Sequence, residues 1–480
     1  MKSNQQSVNR IKIVAVVVIL AVFIFFRWYK LHDTLLFYND MGRDFIALLN
    51  WSESGKPPLL GPQTSVVSYN QSAWYFYFLF PLFVLTNHSA LSSTLTIILF
   101  GSFVYFFLVA VHRKNNWYFW LISLSFALLA VHPQVVLQNR FIWNPSFIPY
   151  FLLVSMIATV RLSKEFSTKW AAVFWLSAAF AVGFSYSALP IIITTILYLA
   201  VKNKKYWLQH LGLATAAGGI VLLPLLVFEA RHNFALTRLF LEGQTTPQTA
   251  VSIGLKTTQL LQLIFEAQSK VMSMILFLFT TVSLSLGYLY GRKYNYSQLS
   301  HLQFFIGSLI VNTVLFLFLP VNLEKHYIFP IVVLLLLSIA ALPKRLAIFT
   351  TVMLLIFWAQ PYFLNKQTVI PVRSISDMEQ CYAHFCKTFT TPAYVSMESG
   401  ILTGYHNALE HQFFLREAGC TVYNIVDHQD QAATMLVIGD NTEYTHGKSA
   451  YYELTLFGDA TQSGTFSCTD NLKIYQLDKI

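Results

Sequence analysis

A short polar segment combines two carboxylates with an arginine at helical spacing. Residues 38–44 read YNDMGRD. In a helix from Asp40 to Asn50, Asp40 and Asp44 lie four residues apart on one face, with Arg43 beside them. The two carboxylates repel each other, and the arginine holds at least one of them ionised, as a general base requires. The alternative is that Asp40 caps the helix and Asp44 forms a surface ion pair.

Three other polar segments carry cations between apolar runs: Arg140 in NRFIWNP, Arg231 and His232 in FEARHNF, and Lys325 and His326 in EKHY. With Arg43, these groups are candidates to hold a phosphate, because guanidinium and ammonium groups bind its oxygens. For Arg140 the alternative is a side chain that only extends to the membrane surface beside a belt tryptophan. The predicted substrate pocket is completed by Tyr38, Trp143, Glu229 and Tyr327.

The composition indicates which kind of protein must position these groups. The chain has 480 residues, of which 55% are hydrophobic and only 11% charged, against about 25% charged in soluble globular proteins. So few charges cannot cover the surface of a soluble protein of this size, which predicts a polytopic α-helical membrane protein. The net charge of +10 then indicates anchoring at the cytoplasmic membrane surface and argues against a nucleic-acid partner.

A helix needs about 20 mostly apolar residues to cross a bilayer. About eleven spans are predicted: Ile11–Trp28, Ala90–Val111, Trp117–Val131, Ser146–Val160, Trp170–Phe184, Leu189–Val201, Trp207–Phe228, Val271–Tyr290, Leu302–Leu319, Ile328–Leu342 and Leu346–Gln360. The first span is preceded by basic residues and followed by no small-residue cleavage site, so we expect it to be retained rather than removed as a signal peptide.

The apolar segment Ala73–Leu85 is too short to cross and contains Pro81, so we predict an interfacial helix. If Ala73–Leu85 does not cross the membrane, the main basic clusters between the spans fall on the cytoplasmic side. The N-terminus is then cytoplasmic, and residues 29–89 form the first outer loop. Residues 1–360 form the membrane module, and residues 361–480 form an extracytoplasmic domain.

The mixed polarity of residues 361–480 predicts a small α+β domain. Strand-like runs occur at Ala393–Met397, Cys420–Val426, Thr434–Ile438 and Lys473–Leu477, and a helix is predicted at Asn407–Ala418. All four cysteines lie here: Cys381, Cys386, Cys420 and Cys468. An exported domain forms one or two disulfides from them, with three possible pairings, and four free thiols are the alternative. Their spacing does not fit a metal site.

Several motifs are absent from the sequence. It contains no GxxxxGK[ST] loop, no GxGxxG turn, no Asp-x-Asp pair, no HExxH and no GxSxG. These absences argue against ATP-driven motors, dinucleotide enzymes, nucleotide-sugar enzymes, zinc proteases and serine hydrolases.

Together, the motifs resemble a known family. The YNDMGRD loop, followed by PPLLGPQTS and an aromatic helix, and the NRFIWNP, FEARHNF and EKHYIFP segments resemble GT-C membrane glycosyltransferases. They are most similar to the bacterial branch related to protein O-mannosyltransferases and the aminoarabinose transferase. The resemblance implies a polyprenyl-phosphate sugar donor and Asp40 as the catalytic carboxylate. Many relatives have a glutamate where Met41 stands, which leaves open the role of Asp44 and of a divalent metal such as Mg or Mn.

The function predicted from these features is an inverting transferase in the bacterial inner membrane. It would move a sugar from a polyprenyl-phosphate donor to a glycan, lipid or protein acceptor on the outer side, with Asp40 as general base. A transporter or flippase of lipid-linked glycans is the first alternative, and it would require polar residues within the spans and on the cytoplasmic side. A non-catalytic scaffold that acts through the exported domain is the second, and it would tolerate loss of Asp40.

Overall fold

The computed structural model describes residues 2–35, 37–63, 70–241, 252–265, 270–318, 324–363, 373–399, 408–440, 442–445 and 451–480. Leu319, the last residue of a predicted span, and Asn407, the first residue of a predicted helix, lie outside these ranges. The helices up to the middle of the chain are α1 Lys2–Trp28, α2 Leu31–Thr34, α3 Asn39–Ser54, α4 Trp74–Leu85, α5 Ser92–His112, α6 Asn116–Val131, α7 Pro133–Arg140, α8 Ile148–Lys164, α9 Thr168–Phe184, α10 Leu189–Lys202 and α11 Trp207–Arg231. The helices that follow are α12 Ala235–Leu241, α13 Ile253–Phe265, α14 Lys270–Lys293, α15 Leu299–Phe318, α16 Phe329–Ala340, α17 Lys344–Phe363, α18 Ile375–Phe385, α19 Leu409–Glu417 and α20 Tyr452–Phe457.

Within the described residues, six helical stretches are long and apolar enough to cross a membrane: Asn9–Trp28, Ser92–His112, Asn144–Lys164, Lys204–Arg231, Lys270–Lys293 and Leu299–Phe318. The bent pair α6 and α7 would be a seventh. Four further apolar helices are shorter: Trp74–Leu85, Thr168–Phe184, Tyr186–Lys202 and Lys325–Ala340. These helices are those of a multi-pass membrane protein, whereas the count of eleven spans stays a prediction.

A buried arginine stabilises the bend between α6 and α7, which is 65°. Pro133 has no N–H, so the carbonyl of Leu129 loses its helical partner at the break. Arg27, at the end of α1, is fully buried and donates to the carbonyl oxygens of Leu129 at 3.3 Å and Ala130 at 2.9 Å. It also donates to Oδ1 of Asn139 in α7 at 3.0 Å. Arg27 thus fixes the end of α1, from which the first polar loop emerges, against the bent helix.

The C-terminal part of the chain contains one mixed five-stranded sheet, in the order β2-β1-β3-β5-β4. Its strands are β1 Ala393–Ser399, β2 Val422–Tyr423, β3 Thr434–Asp440, β4 Ala460–Thr469 and β5 Leu472–Lys479. β1 is parallel to β2 and β3, whereas β5 is antiparallel to β3 and β4. Three predicted strand runs lie within β1, β3 and β5. The edge strand β4 was missed because its exposed Gln, Ser and Thr residues lack a hydrophobic pattern.

The predicted disulfides are present as two pairs, Cys381–Cys468 and Cys386–Cys420. The first joins α18 to β4, and the second joins the end of α18 to the segment before β2. The two bonds therefore hold α18 against the sheet from both sides.

Helix α19 packs directly on α3, and a glycine permits the close approach. A Cβ added at Gly42 would lie 2.5 Å from the Cα of Glu410, the second residue of α19. At the other end of the contact, Arg416 donates to Oε2 of Glu53 at 2.6 Å. The helix that carries the YNDMGRD segment is thus fixed by the C-terminal part of the chain.

We therefore expect Gly42→Ala to lower the free energy of unfolding by about 1–3 kcal/mol, the usual cost of inserting a methyl group into a packed contact. Thermal unfolding of the purified protein would measure this. Gly218→Ala in α11 is the matched control, because a Cβ there meets no atom within 4 Å. Equal stability of the two variants would contradict the close contact between α3 and α19.

Candidate functional site

A cavity of about 260 Å³ lies beside the start of α3. It is lined by Tyr38, Asp40, Leu137, Gln138, Phe141, Trp143, Glu324, Lys325 and His326. Five of these, Tyr38, Asp40, Trp143, Lys325 and His326, were singled out in the sequence. The cavity thus brings a carboxylate from the first polar loop together with a lysine and a histidine from a segment almost 300 residues later.

Helix α3 presents Asp40 to the cavity. Asp40 lies in the first turn of this helix, where the helix dipole favours a carboxylate, and its side chain is 40% exposed. Arg43 bridges the two acids, donating from Nη1 to Oδ1 of Asp40 at 3.0 Å and from Nε to Oδ1 of Asp44 at 2.8 Å. The i, i+3 and i+4 spacing therefore produces the arrangement expected from the sequence.

Asp44 lies behind Arg43, is fully buried, and is not among the residues that line the cavity. Burial raises the pKa of Asp44 to about 6, although Arg43 opposes the shift. Asp44 thus carries a proton at mildly acidic pH and is ionised at neutral pH, when it shares Arg43 with Asp40. The catalytic role predicted for Asp44 stays a prediction.

Lys325 and His326 contribute different chemistry to the cavity. They lie in a short 3₁₀ turn, Lys325–Ile328, directly before α16. His326 packs edge-on against the ring of Trp143, with 4.4 Å between ring centroids, and its other ring neighbour is Tyr327 at 4.3 Å. Burial lowers the pKa of His326 to about 3, so its imidazole is neutral at pH 7. The positive charge of this turn therefore comes from Lys325.

Arg140 is not among the residues lining the cavity. Its side chain is buried and donates to the carbonyl of Lys30 at 3.4 Å and to the hydroxyl of Thr34. These contacts join the end of α7 to α2. The nearby Trp143 does face the cavity, and its indole N–H donates to Gln138. The structure thus places Arg140 next to the site, where it supports the loop that leads to Asp40.

The segment containing Glu229, Arg231 and His232 lies outside this cavity. Both carboxylate oxygens of Glu229 are used to cap α12, accepting backbone N–H bonds of 3.0 Å and the hydroxyl of Thr237 at 2.6 Å. His232 stacks on Phe228 with 4.0 Å between centroids, and Arg231 is exposed. The structure does not bring these three side chains to Asp40, and their predicted substrate contacts stay predictions.

A buried charge cluster that was not predicted from the sequence lies just behind the cavity. Arg373 donates from Nε to Oδ2 of Asp440 at 2.7 Å and from Nη2 to Oε1 of Glu410 at 3.3 Å. Its Nη1 donates to the carbonyl of Phe37 at 3.2 Å, and the guanidinium lies 5.3 Å from the ring centroid of Tyr38. The C-terminal part of the chain thus holds the two residues that lead into α3.

A possible divalent metal was left open by the sequence. Within the described ranges, no group of three or more His, Cys, Asp or Glu side chains is arranged to hold a metal ion. Asp40 is paired with Arg43, and the other cavity-lining acid is Glu324. A role for Mg or Mn therefore stays a prediction.

Comparison with known proteins identifies the architecture. No protein-family model and no curated protein sequence matches the chain. Among solved structures, ArnT from Cupriavidus metallidurans bound to undecaprenyl phosphate matches with a TM-score of 0.62 at 11% identity, covering 96% of this chain and 97% of that one. ArnT in the apo state gives a TM-score of 0.63 at 10% identity, covering 97% and 98%.

The chain has the fold of ArnT. The predicted resemblance to the aminoarabinose-transferase branch of the GT-C enzymes is therefore confirmed at the level of fold. The match covers the C-terminal part of the chain as well as the membrane helices. At 10–11% identity, the fold is what the two chains demonstrably share.

Proposed function

We propose that this protein is a glycosyltransferase that uses a polyprenyl-phosphate sugar in the bacterial cytoplasmic membrane. The observation that carries the proposal is that Asp40 and Lys325 line one cavity. A carboxylate can act there as a general base, and an ammonium group can bind a phosphate. The fold supports it, since one ArnT structure of this fold is bound to undecaprenyl phosphate. The acceptor is a hydroxyl of a glycan, lipid or protein.

The proposed reaction is a single displacement. The Asp40 carboxylate accepts the proton of the acceptor hydroxyl while that oxygen forms a bond to the anomeric carbon. The bond between this carbon and the phosphate oxygen breaks, and the electron pair leaves with the lipid phosphate. Lys325 stabilises the charge that develops on this phosphate. One displacement inverts the configuration of the anomeric carbon.

Other cavity residues have supporting roles in this proposal. Arg43 holds the carboxylate of Asp40 in place. Because Arg43 also pairs with Asp44, its positive charge is shared between two carboxylates and does not fully compensate the charge of Asp40. The rings of Tyr38 and Trp143 offer apolar surface to the sugar. Neutral His326 offers a hydrogen-bonding nitrogen, because its Nδ1 has no partner within the described part of the chain.

The membrane orientation is also part of the proposal. A cytoplasmic N-terminus and an outward-facing cavity are supported by the main basic clusters, such as Arg113–Lys114 and Arg292–Lys293, which the positive-inside rule assigns to the cytoplasmic side. The two disulfides in the C-terminal part support an oxidising compartment on the same side as the cavity. An already activated lipid-linked sugar is a suitable donor there, because no nucleotide is needed.

Replacement of Lys325 tests the phosphate contact. We expect Lys325→Gln to lower kcat by about 10²–10³-fold, the usual cost of removing one group that stabilises developing negative charge. Release of undecaprenyl phosphate from a lipid-linked sugar measures the rate. Arg231→Gln is the matched control, because it removes a cation of the same predicted class that does not line the cavity. Equal losses in both variants would contradict the assignment of Lys325.

The pH dependence of turnover tests the role of Asp44. We expect the rate to fall as the pH drops through about 6, the pKa of Asp44. Once Asp44 is protonated, Arg43 has Asp40 as its one charged partner and holds this carboxylate more tightly, away from the acceptor hydroxyl. Asp44→Asn should therefore have the lower rate at neutral pH as well as at acidic pH. Glu410→Gln is the control, and it should keep the transition near pH 6. A wild-type transition near pH 6 that persists in Asp44→Asn would exclude this role.

A further inference from the structure

A second cavity, of about 500 Å³, lies at the other end of the membrane helices. Its walls come from three helix segments and one connection. These are the start of the apolar part of α1, the start of α6, the start of α17, and the segment between α16 and α17. Lys12 lies sixteen residues before the end of α1 at Trp28, which is about 24 Å along a helix. This cavity is therefore separated from Asp40 by most of the length of the helices.

Two lysines from distant parts of the chain line this cavity. Nζ of Lys12 donates to the carbonyl of Arg113 at 2.8 Å, and Nζ of Lys344 lies 5.8 Å from the ring centroid of Trp120. Neither lysine forms a salt bridge with any carboxylate in the described ranges. Within the described part of the chain, the two ammonium groups thus lack a paired carboxylate.

The sequence explains this lack of compensation. Asp and Glu are absent from residues 1–32, 267–323 and 325–376, and Glu165 is the one acid in residues 54–228. All segments that build the cavity fall within these ranges. The charge balance must therefore come from an anion outside the chain or from bulk counterions.

Two helix ends add to the attraction for an anion. α6 begins at Asn116 and α17 at Lys344, and neither has an acidic residue in its first turn. At α6 the side chain of Asn115 already accepts the N–H groups of Trp117 and Tyr118, so this end contributes mainly the partial positive charge of its helix dipole. At α17 the same partial charge makes Lys344 unfavourable unless an anion is near. Asn116 and Lys344 both line the cavity.

The remaining walls are suited to a lipid rather than to a small ion. They include Trp117, Trp120, Leu124 and Ile348, which offer indole rings at the level of the head groups and aliphatic surface below them. We propose that this cavity binds the phosphodiester head group of an anionic phospholipid such as phosphatidylglycerol, with Lys12 and Lys344 contacting the phosphate. Basic pockets between membrane helices bind anionic head groups in this way. The site is independent of the proposed transferase reaction.

Native mass spectrometry of the full-length protein tests the proposal, using equal amounts of phosphatidylglycerol and phosphatidylcholine with the same acyl chains. We expect preferential retention of phosphatidylglycerol. Because each lysine near a membrane surface contributes about 1 kcal/mol, or about fivefold, Lys344→Gln should lower this preference about fivefold, and the double variant with Lys12→Gln more. Lys344 makes no hydrogen bond in the described structure that its replacement would break.

Matched variants separate this site from general surface charge. Lys204→Gln with Lys205→Gln removes two exposed lysines that do not line the cavity, and it should keep the lipid preference within twofold. Lys12→Arg with Lys344→Arg should also keep it. Equal retention of the two lipids by the wild type would overturn the proposal. The proposal would also fail if Lys204→Gln with Lys205→Gln lowered the preference for phosphatidylglycerol as much as Lys12→Gln with Lys344→Gln. Displacement of the lipid by inorganic phosphate alone would also overturn it, because it would indicate an anion site without a lipid component.

Discussion

Asp40→Asn is expected to lower sugar transfer by about 10²–10⁴-fold, the usual contribution of a general base. Asparagine has almost the same shape as aspartate and can still accept the hydrogen bond from Arg43, but it cannot take up the proton of the acceptor hydroxyl. The loss should therefore appear in kcat, while thermal unfolding and affinity for the lipid carrier remain close to those of the wild type.

Asp33→Asn is the control for this experiment. Asp33 is an exposed acid between α1 and α3, and it does not line the cavity. We expect its transfer rate to match that of the wild type. Turnover of a lipid-linked sugar by Asp40→Asn at a near-normal rate would remove Asp40 from the mechanism. It would leave Asp40 with a structural role alone, as the partner of Arg43 in the first turn of α3.

Arg373→Met is expected to cost about 3–5 kcal/mol in stability. The variant would leave Asp440 and Glu410 buried without their cation, and it would remove the hydrogen bond to the carbonyl of Phe37. Uncompensated buried charges are strongly destabilising because the protein interior solvates them poorly. Unfolding of the purified protein in mixed micelles measures the effect.

Two further variants test whether the effect arises from the buried charges. Arg416→Met also removes an ion pair between the C-terminal part and α3, but its partner Glu53 is 56% exposed, so we expect a cost below about 1 kcal/mol. Neutralising both carboxylates in Arg373→Met, with Glu410→Gln and Asp440→Asn, should recover part of the lost stability. Equal costs for Arg373→Met and Arg416→Met would refute the importance of the cluster.

The sequence predicted those parts of the site that depend on local spacing. Asp40, Arg43 and Asp44 are brought together by helical periodicity, which can be read from seven consecutive residues. The disulfides and the membrane class followed from composition and compartment. The convergence of Lys325 and Trp143 on Asp40 was expected from their common side of the membrane, and the cavity contains both.

Other features depend on pairings between distant segments, which one sequence does not reveal. Arg373, Glu410 and Asp440 form a cluster only after the sheet and α19 have packed against α3. Glu229 seemed available to a substrate because the helix that it caps, α12, was not predicted. These features share one cause: the hydrogen-bond partners of a polar side chain are set by tertiary packing, not by its neighbours in sequence.

The most direct test of the account is to incubate the purified protein with a panel of undecaprenyl-phosphate sugars and an extract of acceptor glycans and lipids. Release of undecaprenyl phosphate and appearance of the sugar on an acceptor would be followed together. The account predicts that at least one donor is cleaved with stoichiometric transfer. Intact donors, combined with movement of the same lipids across the membrane of reconstituted vesicles, would contradict it and identify a flippase.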